Sequence, residues 1–201
     1  MLIKELEARR EMIWNQEQLV AYEVAKVVIP KPKVTVWMIM LPLLFLFFLH
    51  DLKKFKTGIT DFAQGFLKNK KTALDLTFNA TREGIPVEAK LAQFAAEAWP
   101  APADQNELHE KQRREIACLM NHYQRLLTGS GKSYAALIKN VYPSAPKYQI
   151  FLDTLFELES GVLKAVLQSS PTDGNAHEIA KLMQTATRQM RQRERDRIFP
   201  V

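Results

Sequence analysis

Apolar residues recur at spacings of three, four and seven along most of this chain, the period of one face of an α-helix. The pattern begins at once, over residues 2–29. Leu2, Leu6, Ile13, Val20 and Val27 fall at heptad-like intervals, Ile3, Met12, Leu19, Val24 and Val28 join them, and Arg and Glu occupy the other faces. Pro30 and Pro32 end this helix, since proline gives up a backbone donor and crowds the preceding turn. Two readings fit it: a helix lying on a membrane or a partner, or one packed on the protein's own body.

Residues 34–49, VTVWMIMLPLLFLFFL, break the period by being apolar throughout, with Thr35 as the one weakly polar side chain. Lys31 and Lys33 precede the run; His50, Asp51, Lys53, Lys54 and Lys56 follow it. Sixteen residues make about 24 Å of helix against about 30 Å of hydrocarbon, a slightly short span. Snorkelling lysines and a locally thin bilayer would accommodate it. The expectation is a membrane segment over residues 34–50, either a single span kinked at Pro42 or a re-entrant hairpin bending there. A very apolar core helix is the third reading. The anchoring residues would be Val34, Trp37, Met40, Leu41, Pro42, Leu44, Phe45, Phe47, Phe48 and Leu49. A cleaved signal peptide is not expected, because the run starts late, after a long stretch of mixed charge, and no small-residue cleavage site follows.

The helical period resumes at residue 51. Leu52, Phe55, Ile59, Phe62, Phe66, Leu67, Leu74 and Phe78 form one face and most lysines another, with Gly58 and Gly65 as weak points. Gly84 and Pro86 break the chain before an alanine-rich helix over 87–99. Residues 100–103 form a stiff linker, and Asp104 is placed to cap a long helix over Glu107–Thr128. A short helix over 133–141 and a longer one over 147–167 follow. Ile150, Phe151, Leu155, Leu158, Val162, Leu163, Val166 and Leu167 are placed toward a core in the longer one. After the turn at 170–174, a last helix runs to about residue 197. The chain divides into an amphipathic helix with its proline break (1–33), the membrane segment (34–50) and a helical domain (51–201). The fold class is all-α: a small bundle of four or five helices preceded by the amphipathic helix and one short hydrophobic segment.

Charge refines the location. The net charge of +6 is uneven, with six lysines against two aspartates over 51–71 and five arginines against two acids over 188–201, while 72–187 is slightly acidic. Lysines beside an apolar segment read as positive-inside residues touching anionic lipid, which assigns that role to Lys31, Lys33, Lys53, Lys54 and Lys56. A single span puts the domain on the cytoplasmic side and exports the first 33 residues; a hairpin keeps both flanks cytoplasmic. The one cysteine, Cys118, excludes an internal disulfide framework and suits a reducing compartment.

Candidate chemistry is sparse. Thr128–Ser133 (TGSGKS) resembles the end of a phosphate loop, but Leu126 stands where the pattern needs glycine and a helix precedes it rather than a strand. A glycine cap between helices is the simpler reading, with Lys132 left as a possible anion or partner contact. Glu115, Cys118 and His122 share a helix face without an evident fourth metal ligand, so no metal or cofactor is assigned. No catalytic residue is assigned either. Arg188, Arg191, Arg193 and Arg195 make a basic tail suited to a solvated helix end, anionic lipid or an acidic partner, with nucleic acid disfavoured by Glu194 and Asp196. The sequence thus points to a membrane-anchored helical scaffold or accessory subunit, partnered by anionic lipid and by other membrane-complex subunits or itself. The alternatives are an enzyme on a membrane-surface or lipid-linked substrate, through convergence of His109, His122, Glu115 and Lys132, and a nucleic-acid binder using the basic segments.

Overall fold

The computed structural model describes residues 3–31, 42–99, 107–169 and 174–200. Seven helices appear among them: α1 (Ile3–Val28), α2 (Pro42–Glu83), α3 (Val87–Ala98), α4 (Glu107–Thr128), α5 (Tyr134–Val141), α6 (Ala145–Ser169) and α7 (Gly174–Ile198). No strand occurs among the described residues. The all-α expectation holds, but the bundle has more helices than the four or five expected, and α1 is one of its members.

Five long helices close a ring in the order α1–α2–α4–α6–α7, with α1 also touching α4. Specific pairs fix their directions. Arg10 bonds Asp75 at 2.6 Å while Ile29 lies beside Gly58, so α1 and α2 run antiparallel. Arg9 donates to the Leu127 carbonyl and Tyr123 to Glu17, so α4 also opposes α1. His122 stacks on Phe151 and Lys111 lies beside Gly161, so α6 opposes α4. Gln16 meets Glu194, and Ala186 packs with Val20, Val24 and Val28, so α7 opposes α1. One end of the bundle therefore gathers the C-termini of α1 and α6 with the N-terminal parts of α2, α4 and α7.

The core follows from the period. Ile13, Leu74, Ile116, Leu119, Tyr123, Leu126, Leu137 and Ile138 lose nearly all solvent contact in the main cluster. Helix α1 is an internal strut: Ile13, Ala21, Val24 and Ala25 are fully buried, which decides for packing on the protein's own body. Between α2 and α4, which run the same way, α3 packs on both. Gly84 makes the turn possible, with φ of +69° and the Ile85 amide donating to the Ala80 carbonyl.

The apolar stretch departs from expectation. Val34, Trp37, Met40 and Leu41 lie outside the described residues, as does Lys33. The described part of the stretch opens at Pro42, the first residue of α2, where a missing amide costs nothing. Leu44, Phe45, Phe47, Phe48 and Leu49 follow in its opening turns, and the helix then continues unbroken through Lys53, Lys54 and Lys56 for 42 residues. Its uncharged opening spans only about 12 Å, well short of a bilayer core. No helix among the described residues is long and apolar enough to cross a membrane, so the expected span is not found there. Ile150 also departs from expectation: it is 62% exposed, on the outer face of α6.

Candidate functional site

Two charged residues, Lys70 and Glu159, sit where the helical period demands apolar ones, and a third, Arg191, is buried with them. Lys70 lies four residues from both Phe66 and Leu74, inside the apolar stripe of α2. Glu159 lies between Leu155 and Leu163 on α6, and Arg191 one turn beyond Thr187 on α7. The fold brings all three together. Lys70 Nζ donates to Glu159 Oε1 at 2.6 Å; Arg191 grips the same carboxylate with both terminal nitrogens, at 2.6 and 2.7 Å. Lys70 is 2% exposed and its ammonium lies 4.3 Å from the Phe66 ring centroid.

Burial alone would push the Glu159 carboxyl up, but Arg191 and then Lys70 overcome it and hold it down at about 2. Burial pulls the other way on Arg191 too, and Glu159 again prevails, so the guanidinium is held more firmly charged than usual. Beside the triad, Asn69 donates to Glu115 Oε2 at 2.9 Å. Burial raises the Glu115 carboxyl; Lys70 opposes this and Glu159 adds to it.

Of this polar group, Lys70, Glu159, Asn69 and Glu115 line a cavity of about 400 Å³ between α2, α4, α6 and α7. Apolar side chains of the remaining lining are Phe62 and Phe66 from α2, Val162, Leu163 and Val166 from α6, and Met183 from α7, with the charged Asp61 and Lys68 and the polar Gln112 and Gln184 among them. The order along each helix is consistent. Phe62 precedes Lys70 on α2, Met183 precedes Arg191 on α7, and Val162 to Val166 follow Glu159 on the antiparallel α6. Every apolar side chain of that set therefore lies nearer than the triad to the end marked by Ile29 and Gly58. The α1 valines Val20, Val24 and Val28 back Phe62, Phe66 and Met183.

No protein-family model, curated protein or solved structure matches this chain.

The residues singled out in the sequence are distributed differently. Arg191 belongs to the buried triad rather than to a free tail. Arg195 reaches back to Gln149 and Asp196, and Arg188 lies over the Phe156 ring. Arg188 and Arg193 are both exposed on α7. Lys132 is exposed in the turn between α4 and α5, where Ser133 caps α5 by accepting from the Ala136 amide at 3.2 Å. A side chain at Gly131 would come within 2.8 Å of the Leu137 nitrogen, so close packing explains that glycine. Lys31, Lys53, Lys54 and Lys56 are exposed at the Ile29–Gly58 end.

His109, His122, Glu115 and Lys132 occupy separate surroundings. His109 stacks on Trp99 at 5.3 Å, and His122 shares a hydrogen bond of 2.8 Å with Tyr142 and stacks on Phe151 at 4.0 Å. Burial, aided by Arg125 and Arg191, keeps His122 neutral down to about 3. No group of three metal-ligating side chains occurs among the described residues. Lys70 and Glu159 carry a signal in the sequence, a lone charge inside the apolar stripe of α2 and of α6, whereas Arg191 stands among other charged residues.

Proposed function

We propose that this chain is a non-catalytic helical accessory protein that docks end-on to an anionic membrane surface and presents the rest of its bundle for assembly with partner subunits. One observation carries the reading: apolar and basic groups coincide at a single end of the bundle. Val27 is 57% exposed at the close of α1, and Ile179 and Leu182 are 44% and 41% exposed near the start of α7. Lys31, Lys53, Lys54, Lys56 and Lys181 are exposed around them, against the acids Asp61, Glu107 and Glu178. The eight uncharged residues that open α2 start from this same end.

Apolar side chains ringed by lysines suit the headgroup region, where each lysine contributes about 1 kcal/mol near an anionic surface. An apolar end this short lies in the interface rather than spanning it. The test is sedimentation of the full chain with phosphatidylcholine vesicles, with or without added phosphatidylserine. Binding should need phosphatidylserine, weaken with salt, and fall sharply in a Lys53→Glu, Lys54→Glu, Lys56→Glu variant. Failure to bind either vesicle, or equal binding by the variant, defeats the reading.

A further inference from the structure

Helix α2 outruns every described helix packed around it. It has 42 residues, against 26 in α1, 22 in α4 and 25 each in α6 and α7. Its pairings fix where each neighbour stops. Ile29, one residue past the end of α1, lies beside Gly58. Asn69 bonds Glu115; Glu107 opens the parallel α4 eight residues earlier, level with about Asp61. Trp99, just past α3, stacks on His109, which lies one turn and a half before Glu115. Lys70 bonds Glu159; Ser169 closes the antiparallel α6 ten residues later, level with about Thr60. Glu159 also holds Arg191; Gly174 opens the parallel α7 seventeen residues earlier, level with about Lys53. The helix from Pro42 to Leu52 therefore projects about 16 Å beyond the other described helices.

The sequence changes character at the same level. Pro42 is followed by seven leucines and phenylalanines, and then by His50, Asp51, Lys53, Lys54 and Lys56. At about 100° per residue, that run places apolar residues on every face of the helix. A helix that packs on protein keeps a polar side, as α1 and α4 do, and a self-pairing seam is apolar on one side only. A length without a polar side suits surroundings that are apolar all round. The run is about 12 Å long, close to half of a hydrocarbon core about 30 Å thick. At its base stand the exposed Lys31, Lys53, Lys54, Lys56 and Lys181, placed for headgroups.

We propose that the projecting start of α2 is a spike that enters the acyl chains of one leaflet along the membrane normal, with Lys53, Lys54 and Lys56 at the headgroups. The inference rests on the membrane-docking reading. To it are added the partner of this segment, hydrocarbon, and its depth, a single leaflet.

The experiment places a photoreactive benzophenone amino acid at Phe45 or at Lys56 of the full chain. Each protein is irradiated with vesicles whose outer leaflet alone carries chain-deuterated phosphatidylcholine and phosphatidylserine. Mass spectrometry should find acyl-chain adducts at position 45, about tenfold richer in deuterated than in ordinary lipid, and headgroup or glycerol adducts at position 56. Three results overturn the proposal. Cross-linked pairs of chains at position 45 would make a second copy its cover. Equal labelling from both leaflets would make it a span. Glycerol and headgroup adducts alone at position 45 would lay it flat on the surface. Leu44→Asp, Phe47→Asp lies beyond the bundle and should leave thermal unfolding unchanged. It should keep phosphatidylserine-dependent sedimentation at low salt, yet bind about tenfold less than the parent once salt screens the lysines. Equal binding by variant and parent in that salt also overturns the proposal. A parent chain that sediments with phosphatidylserine vesicles but gives no acyl adduct defeats the spike alone. One that sediments with neither vesicle defeats the docking reading and the spike together.

Discussion

Lys70 Nζ lies 2.6 Å from Glu159 Oε1, joining α2 to α6 across the middle of a ring in which those helices are not neighbours. The contact fixes the width of the cavity between them. It also commits the fold to a polar cross-brace where apolar side chains would have been simpler. A buried ion pair of this kind adds little net stability over an apolar replacement, because desolvation offsets attraction. Its loss on one side is another matter.

Glu159→Gln removes the negative charge and leaves Lys70 and Arg191 facing each other. The expected cost is about 3–5 kcal/mol of unfolding free energy, read as a lowered urea midpoint. Lys71→Gln is the control. Lys71 pairs with Asp75 on the exposed side of the same helix, and its loss should cost under about 0.5 kcal/mol. Equal effects of the two substitutions would remove the brace from the account of stability.

Acid should destabilise the protein through His122. Its folded pKa is depressed, to about 3, while the unfolded chain titrates near the ordinary histidine value of 6.5. The unfolded state therefore takes up a proton that the folded state refuses. Stability from this group is present above about pH 6.5 and is lost as pH falls toward 3. Between pH 7 and pH 4.5 the expected loss is about 2–3 kcal/mol from His122 alone. A His122→Phe, Tyr142→Phe double variant removes both partners of the buried hydrogen bond and keeps the stack on Phe151. Urea titrations at the two pH values should show a smaller drop for the variant than for the parent chain. An identical drop would assign the acid sensitivity to other groups.

The helices were legible because their burial follows a simple period. Leu119, Tyr123 and Leu126 sit on the face of α4 that the spacing marks, and the bounds of α4 are those the pattern gives. Pro42 stays open between a kink and a hairpin bend in the sequence, because proline marks both the interruption and the start of a helix. The arginines of α7 were misread for a related reason. Composition shows a basic tail, but Arg191 points inward only because Glu159, 32 residues earlier, waits there. Helical periodicity reports which face a residue occupies, not which other helix will lie opposite. The cavity was invisible on the same ground, since its lining comes from four helices.

Two glycines, read only as helix weak points or caps in the sequence, have opposite physical meanings. Gly65 faces open space, so Gly65→Ala should raise stability by about 0.5–1 kcal/mol through helix propensity. At Gly131 an added Cβ would fall 2.8 Å from the Leu137 nitrogen and 2.9 Å from the Ala136 carbonyl carbon, both backbone atoms of α5. Gly131→Ala must displace the start of that helix and disturb the Ser133 cap, at an expected cost of about 1–3 kcal/mol. Leu137 and Ile138, fully buried in the main core, lie on the helix that would move. The displacement should therefore appear as a lowered global melting temperature rather than as local fraying. Thermal unfolding of the two variants side by side checks both signs. A destabilised Gly65→Ala would mean that something fills the space beside α2, and a neutral Gly131→Ala would mean that the turn yields without moving α5.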